Sequence, residues 1–513
     1  MMASNWCADN CDKTSLSGDA YRTNVVYRTL HTKSLFSGGM SRTVTASVEQ
    51  LLRETLDSAK DPRHQNSEPV HELCRRYLTL NEDAKFAFLQ KLAQDFDVDH
   101  KQVLTSAQHY IDHVSKTTQE IPSVRLEEKL RAALTPRYME LFQQIGKLEG
   151  GVKFLVDLRG HMMDVINKSN AADASAVRAM SGQLKELLSI WFSAGLMKVE
   201  RITWQSPCHM LQKISEYEAV HPVRGWVDLK RRVGSYRRCF VFCHSSMPNE
   251  PVVVLHTALM QHIADSIKDI VRHQRSSESM DALQTSSSVA TSVEDLEDPS
   301  QVKAAIFYSI TSTQKGLSGI ELGKHLIKNA VRDLQMEHPN LKTFSTLSPI
   351  PGFREWLLND LVQVTRGSRS CLLTSKELTD ITDEKNHEEA LAMIYDMIRS
   401  NMWYKNEVLR ERLRKPLMKL CAQYLYVEKH RGLALNGVAN FHLKNGAVLW
   451  RINWLSDTSQ RGLANSCSLM VNYRYFLDQI DQNSKQYCTQ GIISASEQVH
   501  DLLEAQTVRP SQL

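Results

Sequence analysis

Apolar residues along the first part of the chain recur every three or four positions. Asn81 can cap a segment in which Phe86, Leu89, Leu92 and Phe96 share one face. Leu126, Leu130 and Leu134 make a second stripe that breaks near Pro136, and Leu141, Ile145 and Leu148 make a third that ends at Gly150-Gly151. Further helices are expected over 154–166 and 184–196. Residues 46–205 therefore read as an all-helical bundle whose stripes are core faces. After Pro207 the texture changes. The run Arg237–His244 (RRCFVFCH), a turn at 247–250 and the run 251–259 (PVVVLHTAL) predict a hairpin. Residues 274–300 are Ser-rich and poor in bulky apolar residues, as expected of a disordered insertion. A strand over 304–310, a loop with a long helix over 318–336, and a short strand over 343–347 come next. Helices over 386–430 and a late strand over 448–454 (VLWRINW) complete the pattern. The fold class is α plus α/β, with a mixed domain over 206–500 after the helical bundle.

Composition narrows this picture. With 513 residues the chain exceeds what one core usually serves, which favours two domains. A net charge of +4 gives no case for nucleic acid as a partner, and no apolar run nears the roughly 18 residues of a membrane span. Ten cysteines are scattered; Cys7/Cys11 and Cys239/Cys243 lack a second pair at zinc-ligand spacing, so no metal is expected. The ends carry address-like features. Residues 20–48 hold no acid but contain Arg22, Arg28, Lys33 and Arg42 among Ser and Thr, so residues 1–45 read as a mitochondrial targeting segment or, equally well, a disordered start. Asp9, Asp12 and Asp19 interrupt that pattern unless translation starts at Met40. Residues 501–513 form a tail ending in Ser511-Gln512-Leu513, one substitution from a peroxisomal signal.

Three segments carry candidate chemistry. In FYSITSTQKGLSGIELGKHLIK, Gly316 and Gly319 lie where a strand passes into a helix, a place where backbone N–H groups can approach phosphate. Glycines serving only a tight turn explain the pattern equally well, and Lys315, Lys324 and Lys328 could meet a diphosphate or solvent. In STLSPIPGF, two prolines hold Ser348 extended at a strand end, where α/β folds place active residues, although a turn serine reads the same way. No Gly-x-Ser-x-Gly elbow is present. In NFHLKNGA, His442 precedes an Asn-Gly turn and is either a structural histidine or a catalyst. Two phenols follow in NYRYF.

The wording of these segments, GIELGKHLIK, FSTLSPIPGF and ANFHLKNGAVLWRINW with NYRYFL, together with VHPVRGWVDLKRRVG and RRCFVFCH, closely resembles the malonyl-CoA decarboxylase family over residues 70–480. The resemblance implies a helical N-terminal domain and a catalytic domain of the N-acetyltransferase (GNAT) superfold, which holds acyl-CoA between splayed strands with the pyrophosphate on the following loop. The glycine pattern of that loop departs from the usual acetyltransferase signature. Carried over residue by residue, the resemblance makes Ser348 and His442 catalytic, with Glu321 and Tyr475 in support. Substrate contacts fall on Ser318, Gly319, Ile320, Glu321, Leu322, Gly323 and Lys324, along with Ser348 and His442. The implied enzyme is a carboxy-lyase that converts malonyl-CoA to acetyl-CoA and CO2 and so removes malonyl-CoA in fatty-acid metabolism. No cofactor or metal is required, because the thioester carbonyl itself accepts the electrons as an enolate. Ser348 would orient the carboxylate, His442 would protonate carbon, and backbone N–H groups near Gly319 would face the enolate oxygen. A homo-oligomer is expected, in the mitochondrial matrix, the peroxisome and also the cytoplasm. Competing readings are a CoA-dependent acyltransferase on the same scaffold and a non-catalytic acyl-CoA sensor.

Overall fold

The computed structural model of the protein describes residues 50–55, 67–116, 124–170, 174–271, 297–320 and 322–504. The expected targeting segment over 1–45, most of the insertion, Glu321 and the Ser-Gln-Leu end lie outside the described residues. The N-terminal half is helical as its periodicity predicts. Asn81 caps helix Glu82–Asp95 by accepting from the Ala84 N–H at 2.8 Å. Leu89, Leu92 and Phe96 are buried, and Phe88 joins them while Phe86 is only partly buried. The second stripe is weaker than expected. Helix Val124–Ala133 stops short of Pro136, which restrains the residue before it, and Leu134 stands exposed. Helices Tyr138–Gly146, Gly151–Lys168 and Ser175–Trp191 complete the layer that meets the sheet.

Ten strands follow: β1 Met197–Ile202, β2 Arg237–His244, β3 Met247–Met260, β4 Ala304–Ser312, β5 Thr343–Thr346, β6 Ser348–Pro349, β7 Lys429–His430, β8 Leu433–Ala434, β9 Val448–Asn453 and β10 Met470–Tyr475. β1 corrects the helical expectation for its residues. Its ends Met197 and Ile202 are buried while Lys198 and Arg201 face out, and it pairs antiparallel with β2. The β2–β3 hairpin turns at Ser245-Ser246, so residues 247–250 begin the second strand instead of forming the turn. Eight strands form one sheet in the order β1-β2-β3-β4-β5-β10-β6, with β9 on the other edge of β10; β7 and β8 pair separately. All neighbours in the large sheet are antiparallel except β4 and β5, which helix Gly323–Glu337 connects as a parallel crossover. That helix begins five residues later than the sequence suggests.

The end of the expected disordered insertion is ordered. Arg238, 1% exposed, donates to both carboxylate oxygens of Glu297 at 2.8 and 2.7 Å, and Pro299–Gln301 forms a 3-10 turn. One hydrophobic core runs through both halves, from Leu155 and Leu188 of the helices to Phe242, Leu255 and Phe307 of the sheet. At the seam, buried Arg159 of helix Gly151–Lys168 donates to the carbonyls of Ser181 (3.2 Å), Gly316 and Ser318 (2.9 Å). Burial lowers its guanidinium pKa to about 10. A Cβ on Gly316 would lie 1.7 Å from the Val156 carbonyl oxygen, so only glycine permits this backbone contact. Gly316→Ala should therefore destabilise the fold by about 2 kcal/mol or more, as overpacked cores do; an unchanged urea midpoint would refute that account of the seam.

Candidate active site

The site grows from a break in one strand. β5 and β6 run along the same edge of β10, with Arg474 opposite Ser345 and Val471 opposite Ser348. Between them Leu347 turns away, and its N–H bonds the Phe307 carbonyl of β4 at 3.2 Å. Side chains fill the gap this leaves against β10. Thr346 Oγ1 accepts from the Tyr473 N–H at 3.1 Å, and buried Asn472 donates to the Thr346 carbonyl at 2.7 Å. Ser348 emerges just past the break, at the carboxyl end of the strand, with Pro349 fixing the chain beyond it.

His442 arrives from another direction. Asn436 caps helix Gly437–Lys444, whose last turn carries the imidazole. The Asn-Gly pair after it makes the predicted turn at a positive φ of 80° on Gly446, where a Cβ would lie 2.0 Å from the Ile480 carbonyl oxygen. Tyr473 and Tyr475, two apart on β10, both reach the imidazole.

These residues form one chain of hydrogen bonds. Ser348 Oγ donates to Thr346 Oγ1 at 2.9 Å, and His442 Nε2 stands 3.2 Å from Ser348 Oγ. The serine has a single proton and gives it to the threonine, so Nε2 must carry the hydrogen of its contact with Ser348. Nδ1 is then the acceptor and takes the Tyr475 phenol proton at 2.9 Å. Tyr473 stacks on the imidazole with centroids 4.6 Å apart. Ser348, His442 and Tyr475 are 5%, 4% and 2% exposed, so the chain is nearly dry. Burial drives the His442 pKa down to about 3 and raises the Tyr475 phenol well above its usual range. Imidazole and phenol are accordingly both neutral at rest.

Three of the four residues assigned by resemblance to catalysis or its support thus converge, across the 94 positions between Ser348 and His442. Glu321 lies outside the described residues. The segment 318–324 follows the carboxyl end of β4, the strand parallel to the one that delivers Ser348, so both stand at the same end of the sheet. Gly319 is exposed with φ 79°, and the Lys185 ammonium lies 3.3 Å from where its Cβ would be. Ile320 and Leu322 are buried in the core, leaving only their backbone to face a ligand. Gly323 and Lys324 open the helix. Gly316 serves the seam, while Lys315 and Lys328 pair with Asp164 and Asp481.

Thr346 and Asn436 are parts that the sequence did not single out. Thr346 stands two positions before Ser348, the spacing that puts side chains on one strand face, and an Asn ahead of a helix is a cap signal. Among the described residues, Glu297, Glu337 and His338 bring ligand-type atoms within 4.8 Å of one another. Arg238 occupies both carboxylates, donating to Glu337 at 3.0 Å as well as to Glu297, so this cluster is an ion-pair network.

Comparison with known proteins shows the family. Residues 96–192 match the malonyl-CoA decarboxylase N-terminal domain and residues 195–512 the C-terminal domain. The mitochondrial malonyl-CoA decarboxylase of Anser anser anser is 45% identical over 474 residues, covering 90% of both chains. That of Rattus norvegicus is 45% identical over 472 residues, covering 90% of this chain and 92% of its own. Crystal structures of malonyl-CoA decarboxylase from Rhodopseudomonas palustris (29% identity, 89% of this chain and 99% of that one) and Agrobacterium vitis (28%, 90% and 99%) each superpose with a TM-score of 0.73. With a buried serine and histidine brought together and both halves matched, the chain belongs to the malonyl-CoA decarboxylase family.

Proposed function

We propose that the protein is a carboxy-lyase that converts malonyl-CoA to acetyl-CoA and CO2. The hydrogen-bond chain from Tyr475 through His442 to Ser348 carries this reading, together with membership of the family. The sheet-bearing half is of the N-acetyltransferase superfold. In support, β4 and β5 pair in parallel only as far as Phe307 and Thr346 while β4 continues to Ser312, as expected of the splayed strands between which that superfold holds acyl-CoA.

The chemistry follows from the substrate. The bond between C2 and the carboxylate breaks, CO2 leaves, and the electron pair moves into the thioester carbonyl to give an enolate. A proton must then reach C2. Ser348 hydrogen-bonds the carboxylate and holds its C–C bond out of the thioester plane, so that the breaking bond overlaps the carbonyl π system. His442 Nε2 delivers the proton to C2, and backbone N–H groups near Gly319 face the enolate oxygen. Each turnover consumes one proton from solvent. Thr346 holds the serine hydroxyl, and Tyr475 holds the imidazole with its Nε2–H toward the reacting carbon.

Charge makes the timing work. An empty dry site keeps the imidazole neutral, with its pKa at about 3. A carboxylate within hydrogen-bond reach favours the charged imidazolium, so malonyl-CoA raises the pKa of its donor from that low value. Acetyl-CoA lacks the carboxylate and does not.

Address and assembly are part of the same reading. The basic segment 20–48 and the names of the relatives support a mitochondrial location, and the Ser-Gln-Leu end supports a peroxisomal pool; a cytoplasmic pool completes the reading. Self-association is supported by helix His100–Lys116, which leaves Leu104, Ile111 and Val114 more than half exposed.

His442→Asn should abolish CO2 release while CoA-thioester binding stays within a few-fold, and Ser348→Ala should slow turnover at least about hundredfold; wild-type rates in either variant would remove that residue from the mechanism. Calorimetry in two buffers of different ionisation heat should show proton uptake when Ser348→Ala binds malonyl-CoA and none with acetyl-CoA. Equal uptake for both would contradict the charge argument. The sign follows from the lowered histidine pKa of the free site: the substrate's carboxylate raises it on binding, so the proton uptake should grow as pH falls toward the raised value. Imaging chains with and without residues 1–39 and 511–513, and light scattering on the purified protein, should give matrix import, peroxisomal import and a mass above 58.5 kDa; a uniform cytoplasmic signal and a monomeric mass would refute them.

A further inference from the structure

Ser348 and His442 come from elements that the chain delivers independently, one from a strand and one from a helix. Their 3.2 Å contact therefore needs a tie between those elements that outlasts thermal motion. Asn436 supplies two bonds in opposite directions. Its Oδ1 accepts the Ala439 N–H at 2.9 Å and so caps the helix that ends at His442. Its Nδ2 donates to the Pro351 carbonyl at 2.8 Å, in the loop that begins at Ser348. The side chain is 2% exposed, so neither bond competes with water.

Both links beyond Asn436 are stiff. Only Pro349 and Ile350 separate Ser348 from Pro351, the two proline rings fix their own φ angles, and Ser348 is held by β10. From Asn436 forward to His442 runs capped helix. Tyr424 adds a second donor to the same Pro351 carbonyl at 3.2 Å and touches Nδ2 at 3.4 Å. Only asparagine meets both demands at this position. Aspartate would cap the helix but turn a carboxylate oxygen toward a carbonyl, and serine would cap it without reaching Pro351.

We infer that Asn436 is a positioning residue for the reaction: it fixes the spacing of Ser348 and His442 by clamping the serine loop to the cap of the histidine helix. This inference rests on the assignment of Ser348 and His442 as the working pair. A displacement near 1 Å at such a pair costs about hundredfold in rate.

The test is a double-mutant cycle on full-length protein. Asn436→Ser keeps a cap and should leave the circular dichroism spectrum and the acetyl-CoA affinity close to wild type. Its kcat should fall about hundredfold with little change in KM. In a Ser348→Ala background the same substitution should cost less than about threefold, because no hydroxyl remains to be placed. Tyr424→Phe removes the other donor to Pro351 and spares the cap; it should show the same pattern in weaker form, and it serves as the reading if Asn436→Ser does not fold. An equal loss in both backgrounds would mean a general structural role and overturn the inference, as would a wild-type kcat in both Asn436→Ser and Tyr424→Phe. Wild-type turnover in Ser348→Ala sinks the assignment of the pair itself, whereas a crippled Ser348→Ala beside wild-type kcat in both Asn436→Ser and Tyr424→Phe sinks only the clamp.

Discussion

The pairing of β10 with the interrupted strand over 343–349 is the constraint on which the site depends. An unbroken strand would spend all its backbone groups on the ladder and give no opening. Because Leu347 swings to β4, Thr346 and Asn472 take over the bonds that the ladder loses, and Ser348 leaves the sheet at a fixed angle. β10 also carries Tyr473 and Tyr475, so one strand sets both the serine's exit and the histidine's surroundings.

Desolvation then decides what these groups are. In water an imidazole near neutral pH is a mixture of charged and neutral forms. Here burial removes the charged form, and the hydrogen-bond directions select one tautomer of the neutral ring. Catalytic potential in this pocket comes less from an unusual residue than from an ordinary one that is kept dry and oriented.

Much of this was legible in the chain, and the failures are instructive. Helices of the N-terminal half announce themselves because one face is buried and the other wet, so Asn81 and the Leu89–Leu92 stripe read directly. Where the bundle meets the sheet, that contrast fades. β1 has two buried residues in six, which no periodicity resolves well. The hairpin turn was misplaced because Pro248 and Asn249 look like turn residues, yet they lie on a strand where the register shifts. For the site, the proline-flanked serine showed its constraint locally. Its convergence with His442 is a product of sheet register and could enter only through family resemblance. Gly316 looked like a phosphate glycine because its true partner, the Val156 carbonyl, lies 160 positions away in the sequence.

The stacking of Tyr473 on His442 bears on how the site is reset after each cycle. An exposed histidine can swing about its side-chain torsions, picking up a proton from water in one pose and handing it over in another. This ring is pressed flat against a phenol on one side, met edge-on by Phe441, and tied at both nitrogens. It cannot shuttle by turning. On the proposed reaction, recharging must wait for water to reach Nε2 where it stands, which makes departure of the product, and not motion of the histidine, the event that opens the next turnover.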